Sequence, residues 1–119
     1  MEIEIKTENG VTFVIPRTSS LDSLTSAPFK GKFIDLINQG SRFFILNLSS
    51  IEFMDSRGLG AIISILKNLT PVKGILVLCE LKPQIVNLLN ITNMHKVFLV
   101  SKDEREALNM LQDSKNNNG

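Results

Sequence analysis

Between Ile45 and Lys67 an apolar strand runs through an acidic, hydroxyl-bearing corner (Glu52-Phe-Met-Asp-Ser56) and directly into a helix. A strand that opens straight into a helix points to alternating α/β order. Asp55 and Ser56 are both good N-cap residues, because a side-chain oxygen there can accept one of the backbone N–H groups that the first helical turn leaves unpaired. Ser56 is therefore expected at a helix mouth. Gly58 and Gly60 fall in the first turn, where each glycine costs about 1 kcal/mol relative to alanine. Two such penalties imply a second requirement, such as the close approach of another backbone or molecule.

The flanking segments supply the rest of the fold. Residues 2–6 alternate polar and apolar, residues 11–15 are β-branched and aromatic, and Asn9-Gly10 between them is a hairpin signal, since that pair accepts the two positive-φ positions of a type I′ turn. The hydroxyl-rich run 16–28, closed by Pro28, reads as a loop. Ser26 is expected to cap a helix over about residues 27–39, with Phe29, Phe33, Leu36 and Ile37 on one face and Gly40 ending it. Residues 42–48 form a nearly continuous apolar run, as in a central strand covered on both faces.

The helix that starts at the corner turns Leu59, Ile62, Ile63, Leu66 and Leu69 toward the sheet. Ala61 and Ile65 fit either a widened buried stripe or an exposed apolar shoulder. Residues 75–79 read as a buried strand, 82–90 as a short helix with Ile85, Leu88 and Leu89 inward, and 97–100 as a last strand. Ser101 and Glu104 form a capping-box pattern opening a C-terminal helix whose core stripe is Ala107, Leu108 and Leu111. Residues 113–119 carry no apolar side chain and are expected to be disordered, which leaves one domain over residues 1–112. The resulting order, β-β-α-β-α-β-α-β-α, contains two successive βαβ units after the hairpin. It gives an α/β sandwich with a mixed, partly parallel sheet of about five strands and about four helices.

At the corner the chain resembles a known family. Asp55-Ser56-Arg57-Gly58-Leu59-Gly60, preceded by Leu46 to Met54, is similar to the signature of the STAS domain in bacterial anti-sigma factor antagonists, the phosphorylatable switch proteins of partner-switching pathways. The resemblance covers roughly residues 2–112 and implies the STAS-like sandwich and the same element order. The family pattern is Asp-Ser-Ser/Thr/Ala-Gly-Leu-Gly, and its first serine, here Ser56, is the phosphorylated one. The resemblance further implies partner contacts through Asp22, Asp55, Arg57, Gly58, Leu59 and Gly60. Arg57 stands where the family usually has a small residue. A cation in the first turn opposes the helix dipole by about 0.3–1 kcal/mol, and either an ion pair with Asp55 or a phosphate offsets this or the arginine is simply solvated. Leu21-Asp22 matches the end of a family segment near the phosphorylation site, although residues 16–20 replace its usual lead-in. Asp22 is equally well read as a turn-forming aspartate.

Other chemistry finds little support. His95 lies in a helix-to-strand loop with no cysteine, second histidine or acidic cluster near it in sequence, so neither a catalytic site nor a metal site is expected, and no cofactor. Gly58-Leu-Gly60 lacks the third glycine of a dinucleotide fingerprint. The single Cys79 sits in an apolar strand and reads as a buried thiol, consistent with a reducing compartment. A net charge of +1 with no run of lysines or arginines gives no footprint for nucleic acid or anionic lipid. No stretch approaches the ~18 apolar residues of a membrane span, and the expected location is the cytoplasm.

What the residues and the resemblance together lead to is a non-enzymatic switch protein. Its unphosphorylated form would bind a serine-kinase/anti-sigma regulator with a histidine-kinase-like ATPase fold. Phosphorylation of Ser56 would end that complex, and a metal-dependent serine phosphatase would restore it. The alternative is a constitutive STAS interaction or scaffold module of a signalling or transport complex, in which Ser56 is only a cap.

Overall fold

Asn9 and Gly10 close the first hairpin of this protein, whose computed structural model describes residues 1–118, with side chains through Asp113. β1 (Ile3–Glu8) and β2 (Val11–Pro16) pair antiparallel with Glu8 opposite Val11. The two turn residues sit at φ 52° and 79°, the left-handed geometry that Asn and Gly adopt at little cost. In chain order there follow β3 (Ser20–Leu21), α1 (Ser26–Asn38), β4 (Phe43–Asn47), β5 (Phe53–Met54), α2 (Ser56–Leu69), β6 (Ile75–Cys79), α3 (Pro83–Ile91), β7 (Leu99–Val100) and α4 (Glu104–Asn118).

The main sheet is mixed and five-stranded, in the order β1-β2-β4-β6-β7, with every pair after the hairpin parallel. Its register explains the apolar runs. Phe13, Ile45 and Val77 stand side by side and, with Val11 and Cys79, face Ala107 and Leu111 of α4. Val14, Leu46 and Leu78 point the other way, and with Phe44 and Leu76 pack against α1, α2 and α3 through Phe29, Phe33, Ile62, Ile65, Ile85 and Leu89. Central strands covered on both faces lose the polar alternation of a half-exposed strand, which is why residues 42–48 read as continuous. A small second sheet, β3 paired in parallel with β5, lies outside the first.

Several elements differ from the sequence reading. The segment 16–28 is not a loop throughout, because Ser20 and Leu21 pair with Phe53 and Met54. Thr25, not Ser26, occupies the cap position of α1, and its side chain caps nothing in the helix. At the other end Gly40 N–H donates to Ile37 O and Ser41 N–H to Leu36 O, the paired bonds of a Schellman stop. In α2 the buried face takes in Ala61 and Ile65, while Ile63 and Leu66 are only partly buried. The stripe is widened because α2 packs against α1 as well as against the sheet. The last strand shrinks to Leu99 and Val100, after a 3₁₀ turn over Met94–Lys96. The cap of α4 is Asp103, whose Oδ1 accepts Glu106 N–H while Glu106 Oε1 accepts Lys102 N–H, so the reciprocal pair lies two residues beyond the expected Ser101 and Glu104. The α4 backbone is helical from Glu104 to Asn118, and the expected C-terminal tail, residues 113–119, lies beyond Asp113 outside the residues whose side chains are described. Gly119 lies outside the described residues.

Burial at the end of β6 pushes the Cys79 thiol up to about 12, with the charges of Glu104, Glu80 and Asp103 adding to the shift. The folded state thus holds this proton more tightly than the unfolded chain. That contribution to stability is present below the ordinary thiol range and is lost as pH rises through about 12. Cys79 is therefore expected to resist thiol-modifying reagents at pH 8 in the folded protein and to react on addition of denaturant, as an absorbance assay would show. Ile65→Ala, which empties a fully buried site in the core, is expected to lower the unfolding free energy by about 2–5 kcal/mol in a denaturant titration.

Candidate functional site

Asp55 alone caps α2. Its backbone is extended (φ −100°, ψ −173°), and its Oδ1 accepts the N–H groups of both Arg57 (2.9 Å) and Gly58 (3.0 Å). Ser56 is the first residue of the helix proper. It is exposed, and its hydroxyl has no hydrogen-bond partner among the described residues. The two candidates for the cap thus have separate roles: one carboxylate satisfies the helix end, and the neighbouring hydroxyl is left to solvent at the positive end of the dipole.

The β3–β5 pair holds this corner in place. Glu52 N–H and Phe53 N–H both donate to Ser19 O, and Asp55 N–H donates to Leu21 O at 3.2 Å. The same Leu21 explains Gly58. A Cβ built on Gly58 would stand inside contact distance of Leu21 O, 2.7 Å from Leu21 C and 2.9 Å from its Cβ. Gly58 is therefore required by the fold itself, where backbone meets backbone. A Cβ on Gly60, in contrast, would meet nothing within 4 Å. Of these two glycines, only Gly60 is an open position on the surface.

Asp22 closes the turn after β3. Its Oδ1 accepts Leu24 N–H at 2.9 Å and Thr25 N–H at 3.3 Å, and its Oδ2 accepts the Ser20 hydroxyl at 3.1 Å. These bonds, led by that from Leu24, hold its carboxyl below the usual carboxylate range. Asp22 therefore has the turn-forming role, while the β3–β5 pairing brings its loop against the corner. Leu59 is turned into the core at 6% exposed. Arg57 is exposed and makes no ion pair with Asp55 or any other described residue. It lines a shallow hollow of about 360 Å³ between the N-terminal halves of α1 and α2, together with Lys30.

Of the residues singled out in the sequence, Asp55, Ser56, Arg57 and Gly60 thus remain at or near the surface, whereas Gly58 and Leu59 support it from beneath. Two residues were missed. Leu24 is 85% exposed and Phe53 is 57% exposed, one on the Asp22 turn and the other on β5. Phe53 was detectable as the residue that alternates outward beside buried Met54, and Leu24 as a lone aliphatic within a polar turn. Among the described residues no group of three or more His, Cys, Asp or Glu side chains is placed to hold a metal ion, and no helix is long and apolar enough to cross a membrane.

The family model for the STAS domain matches residues 2–107. The chain belongs to the STAS domain family. It is 35% identical over 71 residues to the Bordetella bronchiseptica protein BtrV, an alignment covering 60% of each chain. It is 26% identical over 113 residues to the anti-sigma F factor antagonist of Paenibacillus polymyxa, covering 94% of this chain and 96% of that one. Among solved structures, Thermotoga maritima TM1081 superposes with a TM-score of 0.88 at 25% identity, covering 92% of this chain and 94% of that one. Bacillus SpoIIAA, an anti-sigma factor antagonist, shares the fold in its unphosphorylated form at a TM-score of 0.72 (19% identity, 93% and 98% covered) and in its phosphorylated form at 0.71 (20% identity, 92% and 99% covered). The five-stranded mixed sheet with four helices is the STAS fold.

Thermal melts should resolve the parts of this corner. Asp55→Ala is expected to cost about 0.5–2 kcal/mol, the range for a lost cap. Ser56→Ala is expected to stay within about 0.5 kcal/mol of the parent, as for an exposed side chain without partners. Gly58→Val must displace the Leu21 backbone and should be the most destabilising of the three; a Gly58→Val protein that melts like the parent would show that β3 is not tightly held.

Proposed function

We propose that this STAS protein is a phosphorylation-controlled partner-switching regulator of the anti-sigma factor antagonist type. Unphosphorylated, it binds a serine kinase that is also an anti-sigma regulator and has a histidine-kinase-like ATPase fold. Phosphorylation of Ser56 by that kinase releases the complex, and a metal-dependent serine phosphatase resets it. The observation that carries this reading is the exposed, unpartnered hydroxyl of Ser56 beside a cap supplied by Asp55. A phosphoryl group there meets the positive end of α2 without displacing any bond of the fold. Names among the relatives support the same role, since the Paenibacillus polymyxa protein, matched along nearly its whole length, is an anti-sigma F factor antagonist.

The mechanism acts through the surface. The exposed Leu24 and Phe53 flank the corner and offer apolar contact area, and Gly60 leaves room for close approach. A phosphate adds a charge of about −1.5 to −2, which must be stripped of water when a partner packs over it and which repels any acidic group on that partner. The fold itself need not move.

Paired substitutions test this. Neither Ser56→Ala nor Ser56→Asp should alter the melting temperature much, because the Ser56 hydroxyl has no partner among the described residues. Titrated against the partner kinase, Ser56→Ala should bind like the parent, whereas Ser56→Asp should lose roughly 2–5 kcal/mol of affinity, more than about tenfold. Equal affinities for the two variants would remove the switch and leave a constitutive interaction module.

A further inference from the structure

The hollow between α1 and α2 differs in charge from the rest of the corner. Lys30 contributes a cation from α1 and Arg57 another from α2, and its walls are otherwise small: Ala27, Gly60, Ala61 and the hydroxyls of Ser26 and Ser64. The ion pairs among the described residues are Lys6 with Glu104, Arg17 with Glu4 and Lys82 with Glu52, so neither cation of the hollow is matched by any of them. No acidic side chain lines it. Arg57 also works against its own helix, as a positive charge in the first turn of α2 next to the positive end of the dipole. No ion pair among the described residues offsets that.

We propose that this hollow is a specificity pocket that receives an acidic side chain, aspartate or glutamate, from the protein docked over Ser56. This rests on the reading of the Ser56 surface as a docking site. Two further observations favour an acidic group carried by a protein over a free anion. Leu24, two residues before Ser26 of the hollow's lining, and Phe53, four residues before Arg57, are exposed apolar side chains that a small anion would leave uncovered. The small side chains along both walls let another chain's backbone come close enough for a short carboxylate to reach Lys30 and Arg57 together. Arginine can take both carboxylate oxygens at once, which fixes direction as well as charge. The pair then selects partners: a kinase with a neutral or basic residue at the facing position leaves two cations desolvated and unpaired.

The test uses the full chain titrated against the ATPase-fold serine kinase of its own organism that binds it, at low and high salt. The panel contains the parent, Ser56→Asp, Arg57→Glu, Lys30→Glu and, as a control on α2 outside the hollow, Lys67→Glu. Both hollow variants are expected to weaken binding by about tenfold or more and to flatten its salt dependence, while Lys67→Glu stays within about twofold of the parent. Arg57→Lys should recover part of the loss. All four substituted side chains lie on the surface or only partly beneath it, and thermal melts verify that each variant is folded. If Arg57→Glu and Lys30→Glu bind like the parent while Ser56→Asp does not, the hollow is no pocket for an acid and the switch reading stands. If the hollow variants lose binding and Ser56→Asp does not, the pocket stands without the switch. If Lys67→Glu falls as far as the hollow variants, the effect is one of net charge and the pocket is overturned.

Discussion

The contact between Gly58 and the backbone of Leu21 is the constraint on which the rest of the site depends. A two-residue strand pairing is too short to be stable alone, and β3 and β5 are held together by the helix that presses on them as much as by their own bonds. Because Gly58 has no side chain, the first turn of α2 can lie directly against β3. Leu21 is fully buried there, and its carbonyl still accepts Asp55 N–H. One backbone segment thus fixes the start of the helix, the cap and, through Asp22, the turn that leads into α1.

This arrangement separates support from exposure at single-residue resolution. Asp55 faces the helix end, Gly58 and Leu59 face inward, and Ser56, Arg57 and Gly60 are left outside. A helix presents residues three and four apart on one side, so inward residues at 58, 59 and 62 necessarily leave 56, 57 and 60 on or near the other. The glycines illustrate the point, since they look equivalent in sequence and occupy opposite environments.

Most of the main sheet could be read from residues alone. The Asn-Gly turn, the continuous apolar runs of β4 and β6 and the helical spacing of α1 to α3 each encode their element locally. What was not legible depends on contacts between distant segments. Ser20 and Leu21 have no strand pattern of their own and become β3 only because β5 lies beside them. The α4 cap moved because Asp103 and Ser101 are equally plausible caps in sequence, and the burial of Ser101 beside β6, where its N–H donates to Leu78 O, ends the strand segment there and lets the helix begin later. The strand-to-helix corner was legible in the motif, but the division of labour between Asp55 and Ser56, and between the two glycines, required the third dimension.

Placing the cap on Asp55 has a consequence for how such a protein can change over generations. Because the side chain of Ser56 bonds to none of the described residues, this position can accept alanine, asparagine, aspartate or threonine without the chain becoming harder to fold or quicker to be degraded. Gain and loss of a modifiable hydroxyl are then single steps through equally viable proteins, open to selection on signalling alone. Had the hydroxyl also closed the helix, every such step would have crossed a folding deficit first.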